Sequence, residues 1–239
     1  MGYVIESFGI SDLGLARTTN EDVFHEIPLH GFFVVADGMG GHNAGEVAAK
    51  EAVHHLSTSI CQIFSKEPDK DSLAELLHKA ILSANGWVHR LSEQKEEFGG
   101  MGTTVCCLLV QEKNLICANI GDSRIYRFRK DLEQMTEDHR ISSPQKGKKN
   151  LITRAVGTSP EVEPYIGTFE VNPEDVYFLC SDGLTDYVSN EEIAAVLRSH
   201  PCIKTASSAL VEEAKNKGGG DNITILMLKV FDETPNISR

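Results

Sequence analysis

Apolar segments that stop at a carboxylate constrain this chain more than any other feature. Phe32-Phe33-Val34-Val35-Ala36 runs into Asp37-Gly38, and Ile116-Cys117-Ala118-Asn119-Ile120 runs into Gly121-Asp122. Tyr177-Phe178-Leu179-Cys180-Ser181 runs into Asp182-Gly183, and Asp221 stands just ahead of Ile223-Thr224-Ile225-Leu226-Met227. Short apolar runs bounded by glycines and turn residues are strands. Each acid therefore stands at a strand edge, where the backbone is rigidly placed. Taken singly, each has an ordinary explanation: Asp-Gly is a common turn pair, and a turn aspartate hydrogen-bonds its own backbone. With Glu21 and Asp22 added, six acids are candidates for one pocket.

The remaining periodicity sets the architecture. Val4 to Ile10 reads as an opening strand. Ala48, Ala52, Val53, Leu56, Ile60 and Phe64 recur at helical spacing and predict a helix from near Asn43 to Phe64. A second apolar stripe predicts a helix from Ser72 to about Leu91. The period then changes, and Thr103–Val110, Leu115–Ile120 and Arg124–Phe128 read as a meander of strands. Asp138 to Asn150 is polar and reads as an exposed loop. Val176–Cys180 is a strand, followed by helices at Asn190–His200, with Asn190 as cap, and Ile203–Asn216. Ile223–Val230 is the last strand. Strands mostly follow one another directly, so the doubly wound pattern is absent. The expected fold class is α+β: a four-layer α-β-β-α sandwich, two antiparallel sheets flanked by helix pairs. No linker or compositional shift divides the sequence, and a single domain over residues 1–239 is expected.

Composition narrows the partners. A formal charge of -12 opposes binding to nucleic acid or to anionic membranes. No apolar run approaches the roughly 20 residues that span a bilayer, so no membrane insertion is expected. The first residues lack a basic region and already carry Glu6 and Asp12, unlike a signal peptide. The six cysteines form no CxxC pair and read as reduced, buried small hydrophobes. A monomeric, cytoplasmic protein follows as the expectation.

Carboxylates held close together raise one another's pKa and cost stability, and a cation removes that cost. An oxygen-only ligand set without matching His or Cys favours Mg²⁺ or Mn²⁺. Two such ions bridged by one acid would hold a shared water of lowered pKa, suited to in-line hydrolysis of a phosphate ester. Arg17, just ahead of Asn20-Glu21-Asp22, would grip the phosphoryl oxygens, or else make a surface salt bridge.

Seven stretches, in order, carry a resemblance: Arg17-Thr18-Thr19-Asn20-Glu21-Asp22, Val35-Ala36-Asp37-Gly38-Met39-Gly40-Gly41-His42, Gly102-Thr103-Thr104, Asn119-Ile120-Gly121-Asp122-Ser123-Arg124, Ile152-Thr153-Arg154-Ala155-Val156-Gly157, Cys180-Ser181-Asp182-Gly183-Leu184 and Gly220-Asp221-Asn222-Ile223-Thr224. The chain resembles the metal-dependent serine/threonine protein phosphatases, the type 2C or PPM family, in their compact bacterial form. The resemblance implies hydrolysis of phosphoserine and phosphothreonine in proteins without a phosphoenzyme. It implies two Mn²⁺ or Mg²⁺ ions, with a weaker third. By motif, Asp37 would bridge the two ions and Asp182 and Asp221 would complete the first. The Gly38 carbonyl and Glu21 would serve the second. Asp122, with Asp182, matches the third-metal position. Asp22 would orient metal-bound waters, and Arg17 matches the phosphate-binding arginine. Arg17, Asp22, Asp37 and Asp182 are thus the expected catalytic set. Gly102, Thr103 and Thr104 would pack and shape the pocket. Phosphorylated proteins and a cognate serine/threonine kinase are the implied partners.

Two departures from the family pattern stand out. Met39 replaces the histidine that animal-type members offer as a general acid, and His42 and His139 are weaker candidates for that task. The flap is short, about 140–151, and basic through Arg140, Lys146, Lys148 and Lys149, which read as a solvated loop or as an attractor for phosphorylated segments. Alternatives to an active enzyme of this kind are a noncatalytic phosphoprotein- or kinase-binding member of the fold, and a phosphatase of a partner-switching sigma-factor pathway.

Overall fold

Strict alternation divides each apolar strand between two cores. In the computed structural model, which describes residues 3–40, 44–69, 72–141 and 151–232, strand β3 (Phe32–Met39) shows this directly. Phe32, Val34 and Ala36 pack toward helices α1 (Ala44–Phe64) and α2 (Leu73–Gln94), while Phe33 and Val35 point the other way into a second sheet. Strand β12 (Val176–Cys180) does the same: Phe178 and Cys180 face helices, and Tyr177 and Leu179 face the sheet that holds β3. A sheet buried on both faces needs apolar residues at every position, which is why these strands read as unbroken runs.

One sheet has the order β1 (Tyr3–Asp12), β13 (Ile223–Asp232), β12, β7 (Arg124–Phe128), β8 (Leu132–Gln134). The other has the order β11 (Tyr165–Glu170), β6 (Asn114–Ile120), β5 (Val105–Gln111), β3, β2 (Asp22–Ile27), with β4 (Gly102–Thr103) pairing the end of β3. All these pairings are antiparallel. Short α3 (Asp182–Thr185), α4 (Asn190–Ser199) and α5 (Ile203–Asn216) cover the first sheet, and α1 and α2 cover the second. The result is the expected α-β-β-α sandwich.

The structure corrects several details. Strands β2 and β11 were not expected. Both are outer strands of their sheet, so polar residues interrupt their pattern (Asp-Val-Phe-His-Glu-Ile in β2). The strand expected over Thr103–Val110 breaks at Thr104, which turns its hydroxyl onto the backbone of Asp37. Helix α4 is capped by Ser189, not Asn190. Ser189 and Glu192 form a reciprocal capping box, and the Asn190 side chain instead accepts a bond from the Tyr126 hydroxyl. The expected loop holds a short strand, β9 (Arg140–Ile141), which pairs with β10 (Leu151–Ile152) just beyond its end. Cys61 and Cys202 are exposed; Cys106, Cys107, Cys117 and Cys180 are buried, and all six are free thiols.

This topology places the acids. The end of β3 lies beside the start of β5 and the end of β6, through the pairs Val35 with Cys106 and Val105 with Ile120. In the other sheet the end of β12 lies beside the starts of β13 and β7, through Cys180 with Ile225 and Arg124. The link from β6 to β7 crosses between sheets at Gly121-Asp122-Ser123. Gly121 takes a φ of 107° there, which only glycine adopts at little cost.

Candidate active site

At this end of the sandwich lies a cleft of about 260 Å³ lined by Arg17, Glu21, Asp37, Gly38, Asp122, Asp182 and Asp221, with Met39, Gly40, Ile152 and Asp186. Seven of the eight residues singled out from the sequence therefore meet at one cleft. The eighth, Asp22, lies directly across the β2–β3 pair from Asp37.

Each acid is held by its neighbours. Asp37 is fixed through its backbone: its N–H donates to Thr104 Oγ1 at 2.9 Å, and its carbonyl accepts from Thr104 N at 2.8 Å and Thr103 Oγ1 at 2.9 Å. Thr104 Oγ1 and Ser123 Oγ lie 2.7 Å apart, which ties that grip to the Asp122 turn. Gly38 donates to the Glu21 carbonyl at 3.1 Å. A Cβ at Gly38 would overlap the Gly45 carbonyl of α1, so the closeness of strand end and helix start demands glycine. Glu21 N–H donates to Asn222 Oδ1 at 2.9 Å, and Asn222 Nδ2 donates to the carbonyls of Leu13 and Thr19 at 3.0 and 3.1 Å. Ser181 donates to Asp22 Oδ2 at 2.7 Å and accepts from Thr224 N–H at 3.0 Å. Arg17 Nη2 donates to Asp221 Oδ2 at 2.8 Å.

The electrostatics follow from that crowding. Burial first, then the charges of Asp22, Asp182, Asp221 and Asp122, push the Asp37 carboxyl well above the usual carboxylate range. Burial likewise lifts Asp22 to about 6, against the opposing bond from Ser181. Burial raises Asp122 too, with Arg140 pulling the other way. The bond to Asp221 raises Arg17 further, so its guanidinium stays charged.

The donor set fits hard divalent cations. Glu21, Asp37, Asp182 and Asp221, with the Gly38 carbonyl, offer oxygen alone at the cleft, with no histidine or cysteine among the described residues that line it. Among the described residues no three acidic, histidine or cysteine side chains stand in the geometry of a preformed metal cage. Asp221 is turned onto Arg17 instead, as expected of a carboxylate whose nearest positive charge is a guanidinium.

Two histidine candidates resolve differently. His139 accepts the Gly121 N–H at Nδ1 over 3.2 Å and is not part of the cleft lining, so it braces the Asp122 turn. His42 lies outside the described residues, as do Lys146, Lys148 and Lys149. Sequence reasoning gave no role to Asn222, Ser181 or Asp186, and left Arg140 on a surface loop. The signal available for the first two was a polar residue beside an acid inside an apolar run.

A family profile described as protein phosphatase 2C matches residues 17–216. The chain belongs to the protein phosphatase 2C family. It is 33% identical over 241 residues to protein phosphatase PhpP of Streptococcus pneumoniae, covering 94% of this chain and 97% of that one. Among solved structures, the catalytic domain of serine threonine protein phosphatase PstP in complex with 2 manganese ions superposes with a TM-score of 0.85 at 34% identity, covering 96% of this chain and 100% of that one. Serine/threonine phosphatase Stp1 from Staphylococcus aureus superposes with a TM-score of 0.86 at 31% identity, covering 96% of each chain. In this phosphatase 2C chain, the acids at the strand ends thus sit in a fold shared with a relative that carries a manganese pair.

Proposed function

We propose that the acidic cleft removes phosphate from phosphoserine and phosphothreonine in proteins, with the strand-end acids holding two Mn²⁺ or Mg²⁺ ions. The chain is a metal-dependent serine/threonine protein phosphatase, a hydrolase of phosphoric monoesters. The observation that carries the site reading is Asp37, half-buried and crowded by four other carboxylates in the cleft that Arg17 also lines.

Asp37, Asp182, Asp221, Glu21 and the Gly38 carbonyl are the groups that would hold the ions. Bound there, divalent ions supply Lewis acidity and water of lowered pKa. The protein's own residues do the rest. Arg17 offers its guanidinium to the phosphoryl oxygens. Asp22, fixed by Ser181, positions solvent against Asp37. Water adds to phosphorus and gives up a proton to solvent, the ester P–O bond breaks, and the departing serine or threonine oxygen takes a proton from solvent. A phosphorylated protein segment as substrate, with a serine/threonine kinase acting in opposition, completes the reading. No helix among the described residues is long and apolar enough to cross a membrane. Four buried free thiols support a reducing, cytoplasmic setting.

The test is turnover of a phosphothreonine peptide after chelation and after return of Mn²⁺ or Mg²⁺. Activity should vanish and come back. Asp182→Asn should lose more than about 100-fold, beyond what groups that merely orient a ligand cost, with unchanged circular dichroism. Full turnover by the metal-free protein would overturn the reading.

A further inference from the structure

Arg140 was expected on a solvated flap, yet it points inward. It pairs across the β9–β10 ribbon with Ile152, which lines the cleft, and its side chain is only 16% exposed. Its Nε donates to Asp138 Oδ2 at 2.9 Å and its Nη1 to Asp186 Oδ1 at 3.2 Å. Nη1 also stands 3.8 Å from Asp122 Oδ2, a charge contact rather than a hydrogen bond.

The placement is braced from both sides. Asp138 is held by Arg124 through Nε and Nη2 and by Gln134. The backbone of His139 donates to the Gly121 carbonyl at 2.9 Å, locking this segment to the Asp122 turn. Asp186 follows Asp182 by one helical turn, its N–H bonded to the Asp182 carbonyl at 2.8 Å. Asp122 and Asp186, both in the cleft lining and both within reach of Arg140, thus form one corner of the cleft. With Asp122 3% exposed and its Oδ1 unmet, that corner has what a hard cation needs. A guanidinium, charged at every working pH, already stands in it. A divalent ion brought to the same carboxylates would meet that charge at short range, where repulsion amounts to several kcal/mol even at an effective dielectric of about 20.

We propose that Arg140 is the resident cation of the Asp122–Asp186 corner, so that this chain holds two divalent ions at the cleft floor and admits no further ion at Asp122. This rests on the metal-dependent reading above and departs from the weaker third ion that the resemblance implied.

Metal-stripped full-length protein is titrated with Mn²⁺, and free Mn²⁺ is read by electron paramagnetic resonance. The wild type should bind two ions per chain. Arg140→Met and Arg140→Ala should each gain one weaker ion, and Asp122→Asn added to either should remove it. A third ion in the wild type that Asp122→Asn abolishes overturns the proposal alone. So does the absence of any gain in a variant whose circular dichroism is native. If both Arg140 variants misfold, the comparison of wild type with Asp122→Asn decides by itself. A wild-type count below two overturns the proposal and the reading beneath it together.

Discussion

Arg17 spends one nitrogen on Asp221, 2.8 Å away, while its side chain stays 37% exposed at the cleft. It can therefore reach solvent and a phosphate without leaving the acid that aims it. A charged hydrogen bond of this kind contributes roughly 1.5–3 kcal/mol, so Arg17→Ala should lower kcat/KM for a phosphothreonine peptide by about 10- to 100-fold. The Mn²⁺ affinity should change far less. Equal losses in both would show that Arg17 acts on the metal site rather than on phosphate. On the proposed reading Ser181 acts through Asp22, since it bonds that carboxylate and does not line the cleft. Ser181→Ala should lower kcat with little change in KM, and Ser181→Thr should recover part of it. A change confined to KM would contradict this.

Elements hold these residues through their ends. Helix α4 starts from the Ser189–Glu192 box, and Glu192 also pairs with Lys217 after α5. Lys217, then the backbone and hydroxyl of Ser189, lowers the Glu192 carboxyl from 4.5 to about 2. A depressed folded value means stability that is fully present above the unfolded value. It is lost as pH falls from about 4.5 toward 2. The gap in Tm between wild type and Glu192→Gln should accordingly be widest near neutrality, narrow below about pH 4.5 and close only toward pH 2. A gap that widens in acid would reverse the assignment. Ser189→Ala should cost about 1 kcal/mol in denaturant unfolding. The edge strands make the complementary point. Val23 and Ile27 of β2 pack on one core and Phe24 on the other, but His25 and Glu26 between them break the pattern a central strand displays.

For the whole molecule, the same end of both sheets gathers the acids of a chain with net charge -12. That concentration opposes folding until a cation offsets it. At about 100 times its Kd, an ion that binds only the native state adds about 2.7 kcal/mol. For a chain of this length that is roughly 5–10 °C in Tm. Mn²⁺ should therefore raise Tm by that much or more in scanning calorimetry, and Asp37→Asn should raise the metal-free Tm by removing one of the crowded carboxylates. A metal-free Tm unaffected by Asp37→Asn would mean the acids do not strain one another.

The central strands, both helix layers and the strand-end acids were legible in order and spacing, because burial on both faces of a sheet forces an apolar run whose polar end stands out. Asp37, Asp122, Asp182 and Asp221 could be named on that ground. Their meeting could not, since it depends on antiparallel pairing between segments up to two hundred residues apart, as when Asn222 caps the Glu21 amide. Arg140 shows the limit most clearly. Its sequence neighbours are polar and basic, which reads as surface, but cross-strand pairing turned it toward Asp122. Local sequence sets which side chains a strand offers, and only the folded chain decides which charge each one faces.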